Sequence, residues 1–179
     1  MNGRHIALWG YAGAGKDEAA RELCRHGWVR VSFADKLREF ALALDPAVLT
    51  PWVGYVRLSE LVRAWGWEQA KRDVPEVREL LQRLGTDAGR KVLGENVWVD
   101  AVMGNLPERA VFTDCRFRNE ADAVRARGGL VVAIDRPGCG PINGHVSETA
   151  LAGYDFDARV VNDGTVAGLH AAIREVVAG

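Results

Sequence analysis

Residues 10–17 read GYAGAGKD, and they follow directly on an apolar run, HIALW, at residues 5–9. That junction decides the fold. A short apolar run before a glycine loop reads as a buried parallel strand. The next segment, Asp17–His26, sets Ala20, Leu23 and Cys24 at helical spacing, and Gly27 is a natural stop. Between strand and helix stands G-x-x-x-x-G-K, a phosphate-binding loop. Its glycines let backbone N–H groups point inward, the helix adds its positive end, and Lys16 supplies a mobile charge for β- and γ-phosphates. The motif ends in Asp17, where a Ser or Thr usually binds Mg²⁺ through its hydroxyl. A carboxylate there complements the helix end, and it is also a hard oxygen ligand for Mg²⁺. Both readings stay open. A dinucleotide-binding loop is the alternative, with Asp35 as its ribose-binding acid. However, the spacing is G-x-x-G-x-G rather than G-x-G-x-x-G, and Lys16 would have no task there.

Working outward, Trp28–Phe33, Ala110–Thr113, Leu130–Ile134 and Arg159–Val161 read as further strands. Residues 119–127 and a final segment carrying Val166, Leu169, His170, Ile173 and Val177 on one face read as helices. Residues 35–105 carry 3.6-type periodicity punctuated by Pro46, Pro51 and Pro75, so a helical insertion is expected there. Residues 137–146 are rich in Gly and Pro and read as a loop, with a short helix expected from Ser147 and Glu148 in its first turn. The whole is a single α/β domain: a five-stranded, mostly parallel sheet with helices on both faces. Its core is residues 1–34 and 106–179, its insertion about 35–105, and its lid loop about 137–148. Ligands of such sheets sit at the carboxyl ends of strands. The loops starting at Gly10, Ala34, Asp114, Asp135 and Asn162 all leave those ends.

Composition sets outer limits. The chain has 179 residues, 48% apolar, with a formal net charge of −1. That suits one domain with a real core and argues against a general nucleic-acid binder, which is usually basic. Cys24, Cys115 and Cys139 are odd in number and lack C-x-x-C spacing, so a disulfide framework and a zinc site are not indicated. Reduced cysteines point to a cytoplasmic protein. Neither a signal peptide nor a membrane span is expected, since no apolar run approaches about 18 residues.

Three uses of a phosphate loop compete: motor ATPase, GTPase switch and small-molecule kinase. A motor usually places an acid beside the third-strand Asp, but Asp114 is followed by Cys115. No N-K-x-D guanine-reading motif occurs. A helical insertion and a Gly/Pro loop stand instead where nucleotide kinases hold the acceptor and the lid. Phosphoryl transfer is mostly positioning and charge neutralisation, so cations should surround the phosphates. The candidates are Lys36, Arg38, Arg83, Arg90, Arg116, Arg118 and Arg136. Arginine suits the task through its bidentate fork.

The stretches GYAGAGKD, SFADKLRE, LQRLGTDAGRKVLGENVWVD, FTDCRFRNEADAVRARGG, HVSE and VVNDGT occur in one order. Together they resemble the phage-type deoxynucleoside monophosphate kinases, a branch of the P-loop nucleotide kinases with a three-layer fold. The resemblance spans nearly the whole chain. It implies transfer of the γ-phosphate of ATP to a deoxynucleoside monophosphate with Mg²⁺, for DNA-precursor synthesis in the cytoplasm, of a host cell if phage-encoded. Small nucleotides are then the partners, with neither a nucleic-acid polymer nor a membrane, and a homodimer fits the family.

By the same resemblance, Ala12, Gly13, Ala14, Gly15, Lys16 and Asp17 hold the ATP phosphates and metal. Arg136, Asn162 and Gly164 lie near the adenine. Asp114 orders the metal, and Arg116 and Arg118 join Lys16 in catalysis. Lys36 and Arg38 meet the acceptor's phosphate, and Gly85, Thr86, Asp87 and Arg90 line its pocket. From the residues themselves, Trp98 and Glu120 are added as acceptor-side candidates, and Asp35 either contacts the sugar or organises Lys36. The stretch 137–148 lacks the arginines that many nucleotide kinases place in a lid. Related readings are a kinase for another acceptor, such as dephospho-coenzyme A, and a non-catalytic nucleotide-binding module. For several residues a plainer role stands beside the functional one. Asp114 is also a candidate helix cap, His145 a loop anchor, and Trp67 and Trp98 core residues.

Overall fold

The computed structural model describes residues 5–141 and 149–179. These divide into two compact units, 1–33 with 103–179, and 34–102.

The first unit is built on β1 (His5–Trp9), β2 (Val29–Val31), β5 (Ala110–Phe112), β6 (Leu130–Asp135) and β7 (Ala158–Val161). They form one five-stranded sheet in the order β2-β5-β1-β6-β7. Every pairing in it is parallel. The expected sheet is therefore present and wholly parallel among the described residues. β1 is central, pairing with β5 and β6, and all five of its residues are buried. This is why it reads as an unbroken apolar run rather than an alternating one.

Side chains of a strand alternate between faces. Ile6 and Leu8 of β1 join Val111, Val132, Ile134 and Val160 in one core. Two helices cover it: α1 (Lys16–Arg25), through Ala19, Ala20 and Leu23, and α7 (Val166–Ala178), through Leu169 and Ile173. The helix α6 (Arg118–Ala126) packs on β1 and β6. Buried Glu22 ties the two covering helices. It accepts from Arg25 of α1 at 3.0 Å and from Arg174 of α7. The Arg174 hydrogen bond chiefly holds its pKa at about 2, against the burial that would raise it.

The second unit contains α2 (Ala34–Leu44), β3 (Ala47–Thr50), β4 (Gly54–Arg57), α3 (Leu58–Asp73), α4 (Pro75–Gln82) and a π-helix (Arg83–Leu93). The helix α5 spans Val97–Met103. An insertion built of helices alone is corrected here. β3 and β4 pair antiparallel with Val48 opposite Val56, and Thr50 Oγ1 donates to Gly54 O at 2.9 Å to close the turn. Pro46 and Pro51 stop helices, and the Val-Leu-Thr and Tyr-Val runs beside them favour strand. α3 is broken at Gly66, whose φ is 73°. Its core is Ala41, Val48, Leu58, Leu61, Ala70, Val74 and Val77.

Candidate functional site

The phosphate loop is set by the backbone. Gly15 caps α1 with φ 108°. A Cβ there would lie 2.7 Å from Asn162 Nδ2 and 3.0 Å from Leu169, so both conformation and space require glycine. Ala14 N donates to Tyr11 O at 3.1 Å, which tightens the loop. Lys16 Nζ donates to Gly10 O at 2.5 Å and to Tyr11 O at 3.0 Å. Burial pushes the Lys16 pKa below the ordinary lysine value, and the Arg116 guanidinium pushes it further the same way. Asp17 and Cys139 oppose this. A lysine thus lies folded over a glycine loop at a helix N-terminus, an arrangement suited to a polyphosphate.

Neighbouring strand ends brace this loop. Arg136, just past β6, donates from Nη1 to Gly13 O at 3.1 Å. Asn162, just past β7, donates from Nδ2 to Ala14 O at 2.9 Å. Asp114, just past β5, accepts from Ser32 Oγ at 2.5 Å and from Phe33 N at 3.0 Å, which ties the ends of β2 and β5. The Phe33 and Phe112 rings stack beneath at 4.6 Å. Asp17 stands exposed in the first turn of α1, and its Oδ1 accepts from Arg30 Nη2 at 2.5 Å.

The turn that carries Arg116 has its own brace. Buried Glu120 accepts on Oε2 from Arg116 N at 2.7 Å and from Phe117 N at 3.1 Å. Cys115 beside it is buried, and that burial pushes its thiol pKa well up. Arg118 has its guanidinium 5.9 Å from the Tyr154 ring centre.

The second unit has its own polar row. Arg38 lies 3.6 Å from Asp35 and 3.4 Å from Glu68, and Lys36 donates to Glu39 at 2.6 Å. In the π-helix, Gly85 and Gly89 are buried, while Thr86 and Asp87 are exposed and Arg90 is half-buried. Asp87 pairs with Lys91 at 2.6 Å. Different neighbours crowd the two buried glycines: a Cβ on Gly85 would stand 3.0 Å from the Leu37 side chain, while Trp98 lies against both residues. Its Nε1 donates to Gly85 O at 2.9 Å, and its ring lies where a Cβ on Gly89 would stand at 2.7 Å. A groove of about 690 Å³ elsewhere in this unit is lined by residues such as Thr50, Tyr55, Glu79 and Arg83, not by Gly85–Arg90.

Residues 56–173 match the family model described as deoxynucleotide monophosphate kinase. The chain is 30% identical over 185 residues to a putative deoxynucleotide monophosphate kinase of Acanthamoeba polyphaga mimivirus, covering 90% of this chain and 89% of that one. It is also 30% identical over 108 residues to the deoxynucleotide monophosphate kinase of Enterobacteria phage T4, covering 56% of this chain and 45% of that one. This chain belongs to the deoxynucleotide monophosphate kinase family. It is a nucleotide kinase, a phosphotransferase with small nucleotides as substrates. Among solved structures it is similar to the Mycobacterium tuberculosis APS kinase CysC, with a TM-score of 0.40 and 17% identity over 99% of each chain. That likeness is too slight to build on.

In this kinase Arg136 and Asn162 are bonded to the backbone of the loop that carries Lys16. Gly164 lies in open space past β7, and Thr165 caps α7 by accepting from Gly168 N at 3.2 Å. Two acceptor-side expectations are corrected. Trp98 is only 9% exposed, so it packs against the π-helix and offers no open face for a base. Glu120 is 3% exposed and commits its carboxylate to backbone amides of the turn before α6. The cap expected at the third-strand end thus belongs to Glu120. The expected helix at Ser147, with His145 and Glu148, lies outside the described residues.

Two neighbours of the loop were not singled out from sequence. Arg30 meets Asp17, although they belong to β2 and α1. Cys139 lies beside the loop, with its Sγ 3.7 Å from where a Cβ on Gly13 would stand. Arg30 stands in a short strand and Cys139 in a Gly/Pro loop, and neither context signals a site. No helix among the described residues is long and apolar enough to cross a membrane.

Proposed function

We propose that this kinase transfers the γ-phosphate of ATP to a deoxynucleoside monophosphate, releasing ADP and a deoxynucleoside diphosphate for DNA-precursor synthesis in the cytoplasm. The observation that carries the donor half is the glycine loop closed by left-handed Gly15 at the start of α1, with Lys16 folded back over it onto Gly10 O and Tyr11 O. Loop amides and Lys16 bind the β- and γ-phosphates, and Arg116 neutralises the charge that spreads over the moving phosphoryl group. Lys36 and Arg38 take the acceptor's phosphate, and Thr86, Asp87 and Arg90 take its nucleoside. In this reading the core is 1–34 with 106–179, residues 35–105 are the acceptor-binding insertion, and 137–148, of which 142–148 lie outside the described residues, is the lid.

The donor groups present fit Mg²⁺ in a particular way. Each Asp114 oxygen already accepts a hydrogen bond, and Asp17 is an exposed single carboxylate. Among the described residues no group of three or more acids, histidines or cysteines is gathered for a metal. Mg²⁺ commonly uses one or two carboxylates and completes its shell with phosphates and water. Asp17 would hold the ion from the protein side, with Asp114 fixing the strand ends behind it. When bound, the ion neutralises phosphate charge. The protein's share is to orient the phosphates, supply Lys16 and Arg116, and keep the loop amides aimed.

The test is a panel assay. The purified protein with ATP and Mg²⁺ is given each of the four deoxynucleoside monophosphates and, separately, dephospho-coenzyme A. ADP should appear together with a deoxynucleoside diphosphate. ADP formed only with dephospho-coenzyme A would move the assignment to that acceptor. ATP binding without transfer to any acceptor would make the chain a binding module.

A further inference from the structure

A phosphate loop serves its ligand with N–H groups, so its carbonyls must be turned away and held there. The structure shows how four of them are held. Gly10 O and Tyr11 O accept from Lys16, Gly13 O accepts from Arg136, and Ala14 O accepts from Asn162. Lys16 is itself a ligand of the phosphates, so its bonds to carbonyls compete with its work. Arg136 is exposed and long, so fixing it costs more entropy than fixing a short side chain. Asn162 differs from both. It is half-buried, and its own N–H donates to Asp135 O at 2.8 Å, which continues the β6–β7 ladder. Its amide also lies 2.7 Å from where a Cβ on Gly15 would be. It is a short donor, fixed at the end of a paired strand and pressed against the residue that starts α1.

We propose that Asn162 is a positioning residue of the donor site: it holds the Ala14–Gly15 backbone in its phosphate-binding shape and does not read the base, with Arg136 assisting at Gly13. The bond to Ala14 O fixes the peptide that carries the Gly15 N–H. Turning that peptide would move one of the amides facing the phosphates. The inference rests on the donor-site reading above, and it reassigns Asn162 from the adenine to the loop.

The experiment separates phosphate from base. Binding of inorganic tripolyphosphate and of ATP, each with Mg²⁺, is measured by calorimetry for the wild-type protein, Asn162→Ala and Asn162→Leu. The Leu variant keeps the branched outline and lacks the donor. Both variants should weaken both ligands by the same factor, about 5- to 10-fold, the worth of one well-placed hydrogen bond. In turnover, KM for ATP should rise by that factor while KM for the acceptor holds. A loss confined to ATP, with tripolyphosphate unchanged, would overturn the proposal and return Asn162 to the adenine. Full retention of both affinities by the Leu variant would also overturn it. If the Asn162 variants do not fold, Arg136→Ala decides, since that side chain is exposed. It should lose affinity for both ligands equally, about twofold, and an ATP-only loss would count against the clamp. A wild-type protein that binds neither ligand would instead refute the donor-site reading itself.

Discussion

The phosphate loop and the π-helix at Arg83–Leu93 both depend on close-packed glycines, for different reasons. Gly15 has φ 108°, so the loop's shape is written into its own backbone and only then braced by Asn162. Gly89 has no such requirement. It is glycine because a Cβ there would stand 2.7 Å from the Trp98 ring and 2.8 Å from the Leu84 carbonyl oxygen. One glycine is required by local conformation, the other by close neighbours, one of them a side chain nine residues further on. The loop's form is therefore expected to survive damage elsewhere, while the π-helix should follow the fate of Trp98. π-helical segments are rare and cluster at functional sites, and this one carries the proposed acceptor residues.

The comparison is broken most sharply at Lys16. Lys16→Met should lower kcat by about 10²- to 10³-fold, the usual cost of removing a group that stabilises transition-state charge. Thermal unfolding should barely change, because Lys16 bonds only loop carbonyls. A large fall in Tm with normal kcat would mean that the residue braces the loop rather than serving the phosphates.

Next come the two glycines. Gly15→Ala forces a strained conformation and a contact at 2.7 Å with Asn162, at a cost of about 1–3 kcal/mol. It should appear as lost ATP affinity with acceptor KM unchanged. Gly89→Ala should destabilise the protein by about 1–3 kcal/mol through overpacking against Trp98. Its signature is the reverse, a raised acceptor KM with ATP affinity kept. Trp98→Phe, which keeps an aromatic ring but loses the bond to Gly85 O, should cost about 1 kcal/mol in denaturant unfolding. If Gly89→Ala and Trp98→Phe prove strictly additive, the ring does not shape the π-helix.

A smaller effect is expected at Glu120. Glu120→Gln keeps the shape but weakens the bonds to Arg116 N and Phe117 N, at about 1 kcal/mol. The smallest effect near neutral pH concerns Glu22. Its folded pKa is lowered to about 2 from an ordinary 4.5, so its stabilisation is present above that ordinary value and is lost as pH falls toward 2. Glu22→Gln should flatten the decline in stability across that interval, read by urea midpoints at successive pH values. An unchanged acid slope would mean that Arg174 and Arg25 do not hold the carboxylate in solution.

How much could be read in advance follows the same division. The parallel sheet and its loop were legible because the signals are short-range: HIALW is too apolar to be anything but buried, and G-x-x-x-x-G-K has one well-known shape. The hairpin at Ala47–Arg57 was hidden inside a segment whose periodicity is otherwise helical. Its cues, two prolines and runs of β-favouring residues, are weak beside the helices around it. The clamp by Asn162 was out of reach, because its partner carbonyl is 148 residues away. Glu120 showed the opposite failure. Charge beside arginines suggested a substrate contact, whereas burial turned it into a cap.

The sequence by itself determined the strand-loop-helix unit, the cations available for phosphates and the membership of a kinase family. Those depend on residue type and on spacing within a few positions. Only the tertiary structure decided which side chains pin the loop, that Arg30 meets Asp17, and that Trp98 packs against the π-helix. Those are matters of which strand ends become neighbours and which side chains are buried there, and chain separation carries no record of either.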